Sequence, residues 1–207
     1  MEKSAIVLAG GFSGRFGQDK GLFTLADKPL ILHILDKVST VVDEVLIVVS
    51  SKNQEKAYTP FLKPKARLVI DKYQKQSPLV GALTGFENAY GKYSLLLPCD
   101  TPFVSNQIAS FLLELCVNKD ATIPRWPNGY IESLQAVYYT ESALNAANKA
   151  LDDEKLDMYS MIASLKKVRY VSTLVLKQID PKLTTFFNIN TPKDLRKAEH
   201  MLPDQRI

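Results

Sequence analysis

The sequence predicts an α/β fold built on a mostly parallel central sheet, and three observations carry that expectation. In the first half, short β-branched runs alternate with longer amphipathic stretches, the pattern of strands joined by crossover helices. The longest apolar runs, such as Val45–Val49 and Leu95–Leu97, are strand-sized and far below the roughly 20 residues that span a bilayer. With 46% hydrophobic and 23% charged residues in a chain of 207, the composition is that of a water-soluble globular protein, not a disordered one.

Ser4–Ala9 reads as a buried first strand. Lys28–Thr40 reads as a helix, with Asp27 as its N-cap and Pro29 near its first position. Glu44–Ser50 is the second strand, Asn53–Leu62 a short helix before Pro64, and Ala66–Ile70 the third strand, ending at Asp71. A polar loop, Lys72–Ser77, precedes a helix beginning near Pro78. Tyr93–Leu97 is the next strand, and helix Ser105–Asn118 follows it with Ser105 as a cap. After residue 120 the rhythm changes. Ala121–Arg125 and Ile131–Tyr139 flank Trp126-Pro127-Asn128-Gly129, and Asn-Gly is a strong hairpin signal, so a small antiparallel extension is expected here. Helices over Glu141–Leu151 and Asp157–Leu165 lead to strand Val168–Ser172. Phe186–Ile189 reads as a last short strand before a terminal helix opening at Thr191-Pro192. Without repeat, low-complexity tract or linker, residues 1–207 read as one domain.

Charge and residue usage narrow the chemistry. Lys and Arg number 26 against 22 Asp and Glu, a surplus of +4 that suits small anions and lacks the dense basic clustering of a nucleic-acid arm. Two cysteines (Cys99, Cys116) and two histidines (His33, His200) without ligand spacing argue against a zinc centre or a disulfide scaffold. Residues 1–11 have too short an apolar core for a signal peptide.

The most informative stretch is Leu8–Lys20, LAGGFSGRFGQDK. Four glycines lie within eight residues directly after a buried strand, at the sheet edge where open α/β folds place ligands. Glycine lets successive N–H groups converge on an anion, while Arg15 and Lys20 add charge to the cradle. The spacing excludes relatives: Lys20 follows Asp19 and precedes Gly21, so there is no Walker A loop, and no register satisfies G-x-G-x-x-G. The alternative is a plain surface turn.

Asp100 follows the strand Tyr93–Leu97 and therefore falls on the same edge. A bare carboxylate beside a triphosphate costs about 4 kcal/mol per charge pair at about 4 Å and an effective dielectric near about 20. If the two features share a site, a cation must lie between them, and Mg2+ is the natural choice. The alternative for Asp100 is a turn cap before Pro102, and Cys99 reads as a buried neighbour and not a nucleophile. Asp71 ends its strand in the same way and suits either a ribose or base contact or an ordinary turn. Asn188 and Asn190 flank one apolar residue, so an extended segment points both amides to one face, to read a ligand or to order a loop.

Three segments together resemble the molybdenum cofactor guanylyltransferase (MobA) family of the nucleotidyltransferase superfamily. They are L-A-G-G-x-S-x-R-F-G-x-D-K at Leu8–Lys20, P-C-D-T-P-F at Pro98–Phe103 and N-I-N-T-P-x-D-L at Asn188–Leu195. They come in the family's order and span nearly the whole chain; the first alone indicates only the superfamily. The resemblance implies a three-layer Rossmann-like fold and a cytoplasmic enzyme that transfers GMP from GTP to the phosphate of molybdenum-bound molybdopterin, releasing pyrophosphate. It implies a nucleotide-binding half over 1–104 and an acceptor-binding half over 105–207. Leu8, Ala9, Gly10 and Gly11 would hold the nucleotide through their backbone, Lys20 its phosphates, Asp71 the GTP, and Asp100 both GTP and Mg2+. Arg15, Lys20 and Asp100 would be catalytic, and Asn188 and Asn190 would face the acceptor. Transient contacts with other cofactor-biosynthesis proteins and recipient apo-enzymes are implied, but no nucleic acid or membrane. An acceptor phosphate arrives ionised and needs little general-base help, which fits the scarcity of histidine.

The chain departs from the family pattern at three places. Ser50-Ser51 stands where relatives can carry an Asn, Ser77-Pro78-Leu79-Val80-Gly81 replaces Gly-Pro-Leu-x-Gly, and Ile131–Ala136 departs from Gln-Pro-Leu. A cytidylyltransferase or sugar-phosphate nucleotidyltransferase of the same superfamily shares the loop and the aspartate. A non-catalytic GTP sensor or partner module is the reading from a different class.

Overall fold

Alternation along the first strand sets the layers. Ala5 and Val7 face one hydrophobic cluster and Ile6 faces another, as the two-residue period of a strand buried on both faces requires. The computed structural model describes residues 2–10, 12–13, 18–73 and 75–202.

β1 (Lys3–Leu8) leads into a short pair, β2 (Phe12–Ser13) and β3 (Gln18–Asp19), and a 3-10 turn at Lys20–Leu22. A second pair, β4 (Thr24–Leu25) and β5 (Lys28–Pro29), precedes α1 (Leu30–Val38). There follow β6 (Glu44–Val49), α2 (Lys52–Tyr58), a 3-10 turn at Thr59–Phe61, β7 (Ala66–Ile70), α3 (Pro78–Asn88), β8 (Tyr93–Pro98) and α4 (Asn106–Leu115). The second half holds β9 (Ala121–Arg125), β10 (Ala136–Tyr139), α5 (Thr140–Asp152), α6 (Met158–Ala163), β11 (Val168–Ser172), α7 (Thr173–Leu176), a 3-10 turn at Thr184–Phe186 and α8 (Pro192–Met201).

Seven strands form one sheet in the order β11-β9-β10-β8-β1-β6-β7. All neighbours are parallel except β10, which runs antiparallel to both β8 and β9. That strand is the antiparallel part expected of the second half. Side chains of α1, α2, α4 and α7 pack on one face, and those of α3, α5 and α6 on the other. Serine or threonine caps start the helices that flank the site: Ser51, Ser77, Ser105 and Thr191 each accept the backbone N–H three residues on, at 3.2–3.3 Å. Among the described residues no helix is long and apolar enough to cross a membrane.

Four local expectations are corrected. Lys28 and Pro29 are not helical. Ala26 and Asp27 take positive φ, 49° and 59°, as the two-residue turn between β4 and β5. Asp27 therefore closes a hairpin and caps no helix, because a left-handed pair matches strand twist and Asp tolerates that conformation. The α2 helix ends at Tyr58, with the rest of the expected stretch taken by the tighter turn at Thr59–Phe61. Strand Ile131–Tyr139 is interrupted: Ile131 bridges Arg125, Gly129 takes φ 90° at the turn, and regular pairing resumes only at Ala136. Phe186–Ile189 joins no sheet. Ile189 donates its N–H to the Asp100 carbonyl at 2.9 Å and is buried with Phe23, Leu25, Leu30 and Ala198, so a third small cluster takes up its apolar surface.

Helix α3 reaches the central strand closely because residue 85 is glycine; a Cβ there would collide with the Ile6 side chain. Gly85→Ala is expected to cost about 1–3 kcal/mol, the usual range for overpacking. Urea unfolding should show a lower midpoint with an unchanged slope.

Candidate active site

In this strand order the chain leaves β1 and β8 towards opposite edges of the sheet, and ligands of open α/β folds bind outside the carboxyl ends at such a switch point. Leu8 and Pro98 are paired across these two strands, so the loops after them start side by side. Ala9 donates to the Val48 carbonyl at 2.8 Å and Cys99 to the Leu8 carbonyl at 3.1 Å, which fixes both exits. A cavity of about 420 Å³ opens here, with Leu8, Gly10, Lys20, Asp71 and Asp100 in its wall. Gly11 and Arg15 lie outside the described residues.

Lys20 is the meeting point. Its Nζ lies 3.3 Å from Asp100 Oδ2 and 2.6 Å from Asn190 Oδ1. Asp100 is 7% exposed, and its Oδ1 has no hydrogen-bond partner among the described residues. Burial pushes this carboxyl above the usual carboxylate range, although Lys20 pulls it down. Asp100 caps no turn; the turn before Pro102 is closed by Thr101 Oγ1, which donates to the Pro98 carbonyl at 3.0 Å. Its own carbonyl receives Ile189 N–H, which draws the 188–190 segment to the site. Ile189 is buried between exposed Asn188 and Asn190, as alternation in an extended segment predicts.

Asp71 stands across the cavity at the end of β7. Its Oδ1 accepts from the Tyr73 N–H and from Thr84 Oγ1, both at 3.0 Å, so two donors fix the carboxylate. Ser50, Gln76, Ser77 and Leu134 also line the space. Sequence reading passed over Thr84 and over the bond from Lys20 to Asn190, because both join residues whose proximity only the folded sheet creates. Leu134 comes from the interrupted strand, whose bend no local signal announced. Cys99 is buried, and burial raises its thiol well above the ordinary range, so it stays protonated and inert.

Residues 5–168 match the MobA-like NTP transferase domain. The chain belongs to the MobA-like NTP transferase family. Within that family it is 33% identical to the protein of Methanosarcina mazei named "Probable molybdenum cofactor guanylyltransferase", over 93% of this chain and 88% of the relative. It is 31% identical to the molybdenum cofactor guanylyltransferase of Desulfosudis oleivorans, over 99% of this chain and 98% of that one. The crystal structure of molybdopterin-guanine dinucleotide biosynthesis protein A from Archaeoglobus fulgidus superposes with a TM-score of 0.81 at 27% identity, covering 96% of this chain and 97% of that one. As a member of the MobA-like NTP transferase family, the chain is a nucleotidyltransferase with a Rossmann-like fold.

Because burial outweighs the pull of Lys20 on Asp100, the ionised carboxyl is held at a cost to stability. A raised folded-state pKa favours the fold below the unfolded value and loses that contribution as pH rises through the folded one. Asp100→Asn is therefore expected to be at least as stable as the wild type at pH 7, with any advantage shrinking on acidification. A loss of more than about 1 kcal/mol in chemical denaturation at pH 7, a typical destabilising substitution, contradicts this.

Proposed function

We propose that this nucleotidyltransferase transfers the GMP of GTP to the phosphate of molybdenum-bound molybdopterin, forming the guanine dinucleotide cofactor and pyrophosphate. One observation carries the reading: a single ammonium group, Lys20 Nζ, contacts both Asp100 and Asn190. The three segments that resemble the family thus converge at one point, as a reaction joining a triphosphate to a second phosphate requires.

In this reading the nucleotide lies over residues 1–104. The backbone of Leu8, Ala9 and Gly10 lines its phosphates and ribose, and Asp71, pinned by Thr84 and Tyr73, accepts from a donor edge of the nucleoside. Residues 105–207 supply the acceptor side, through Asn188 and Asn190. Lys20 and Arg15 neutralise phosphate charge.

The family's reaction uses a divalent metal. Asp100 fits one: its buried Oδ1 is an oxygen donor without a protein partner. Among the described residues no three His, Cys, Asp or Glu side chains group as a ligand cage. A lone carboxylate completed by substrate phosphates and water is the arrangement Mg2+ favours. When bound, Mg2+ supplies Lewis-acid polarisation of the α-phosphate.

An oxygen of the acceptor phosphate attacks the α-phosphorus of GTP in line, forming a new P–O–P bond as the bond to the β-phosphate breaks and pyrophosphate leaves. The Lys20 ammonium exchanges Asp100 for phosphate oxygens and follows the charge that builds there. Asn190, holding Lys20 from the acceptor side, fixes the ammonium between the two phosphates. No side chain forms a covalent intermediate, so catalysis is positioning and charge neutralisation.

Lys20→Ala and Asp100→Ala are expected to fold and to lower turnover at least about 10³-fold, the range seen when a charge clamp on a phosphoryl group is removed. Pyrophosphate release from GTP with the molybdopterin acceptor measures this, with CTP as the comparison nucleotide. Near-normal turnover in either variant, or equal use of CTP, contradicts the proposal.

A further inference from the structure

Gln54, on the first turn of α2, is 7% exposed, and both ends of its amide are engaged. Oε1 accepts from the Ser50 backbone N–H at 2.7 Å and from the Ser50 hydroxyl at 2.8 Å, while Nε2 donates to Asp19 Oδ1 at 2.5 Å. The orientation is dictated by the partners: a backbone N–H can only donate and an ionised carboxylate can only accept. The amide of Gln54 accepts at one end and donates at the other, a pair of bonds that neither an ionised Glu nor Leu can make.

Each end leads to the site. Ser50 lines the nucleotide cavity, and Gly10 packs on it so closely that an added Cβ would lie 3.4 Å from the Ser50 Cβ and N. Asp19 directly precedes Lys20. It occupies the N-cap position of the Lys20–Leu22 turn but makes no capping hydrogen bond to it. Its carboxylate turns to Gln54 instead. One helical turn further along α2, Tyr58 is fully buried beneath the same segment, and its hydroxyl is 2.5 Å from where a Gly21 Cβ would stand. Positions 54 and 58 share a helix face. Together they form a seat for the turn that carries Lys20.

We infer that Gln54 is a positioning residue for nucleotidyl transfer: by gripping Asp19 and Ser50 at once, it locks the turn bearing Lys20 to the wall of the nucleotide cavity. The inference rests on the reaction proposed above. Lys20 is held at its tip by Asp100 and Asn190, and the contact with Asp100 is the one that substrate phosphates replace. Once it is exchanged, the anchor through Asp19 holds the backbone from which the four-carbon stem of Lys20 reaches the phosphates. Misplacement of a reacting group by about 1 Å costs on the order of 10²-fold in rate.

A double-mutant cycle on Gln54→Leu and Asp19→Ala tests this, read by kcat and KM for GTP in pyrophosphate release, with thermal unfolding as the folding control. Each single variant is expected to lose roughly 10- to 100-fold in kcat, because the geometry is lost and not the charge of Lys20. GTP KM should move far less. The double variant should be no slower than the worse single, since both remove the same bond. Asp19→Asn keeps an acceptor for Nε2 and is expected to restore most of the rate. Losses that multiply in the double variant, or a wild-type kcat in Gln54→Leu, overturn the inference. If Gln54→Leu does not fold, equal kcat in Asp19→Ala and Asp19→Asn overturns it. A wild-type protein that transfers nothing from GTP overturns the proposed reaction itself, a result separate from any behaviour of the variants.

Discussion

The site is organised around a carboxylate that the fold buries before it is fully matched. Asp100 is taken out of water at the end of the strand next to β1, with one oxygen near Lys20 and the other without a partner among the described residues. Burying an under-compensated charge is costly, and such a group persists where its chemistry repays the loss. The surroundings follow from that constraint. Lys20 must be brought across 80 residues of sequence to Asp100, and Asn190 across 170 to Lys20. The sheet does the first by pairing β1 with β8. The bond from Ile189 to the Asp100 carbonyl and the small cluster around Phe23 and Leu25 do the second.

Close contact beneath the site supports this placement. The turn carrying Lys20 lies on Tyr58 and Cys99, a fit that residue 21 permits only as glycine. Gln54 then ties that turn to Ser50, so the cavity wall and Lys20 share one anchor. Asp71 is held independently on the far wall through Thr84. Lys20, Asp100 and Asp71 are thus held in place before any ligand arrives, an arrangement that lowers the ordering cost of binding.

Much of this was legible in the sequence. Runs such as Val45–Val49 are apolar on both faces and read as buried parallel strands, and Ser105 before a helical pattern marked the start of α4 correctly. Lys20 and Asp100 could be placed on one sheet edge from strand direction alone. What failed was local conformation under tertiary control. Asp27-Lys28-Pro29 carries a good helix-start signature, yet a left-handed turn at Ala26–Asp27 matches strand twist and delays the helix to Leu30. Phe186–Ile189 is apolar enough for a strand, but its surface is covered by α8 and the β4–β5 hairpin and not by a sheet edge. Gln54 and Thr84 carried no signal, because a buried amide or hydroxyl acquires meaning only from the partners the fold brings to it.

The central claim is that Asp100 gives up Lys20 to take a divalent cation with the bound nucleotide. Calorimetric titration of GTP with and without Mg2+, in the wild type and in Asp100→Asn, tests it most directly. The account predicts that Mg2+ tightens GTP binding strongly in the wild type and has little effect in the variant. Equal dependence on Mg2+ in both proteins would contradict it.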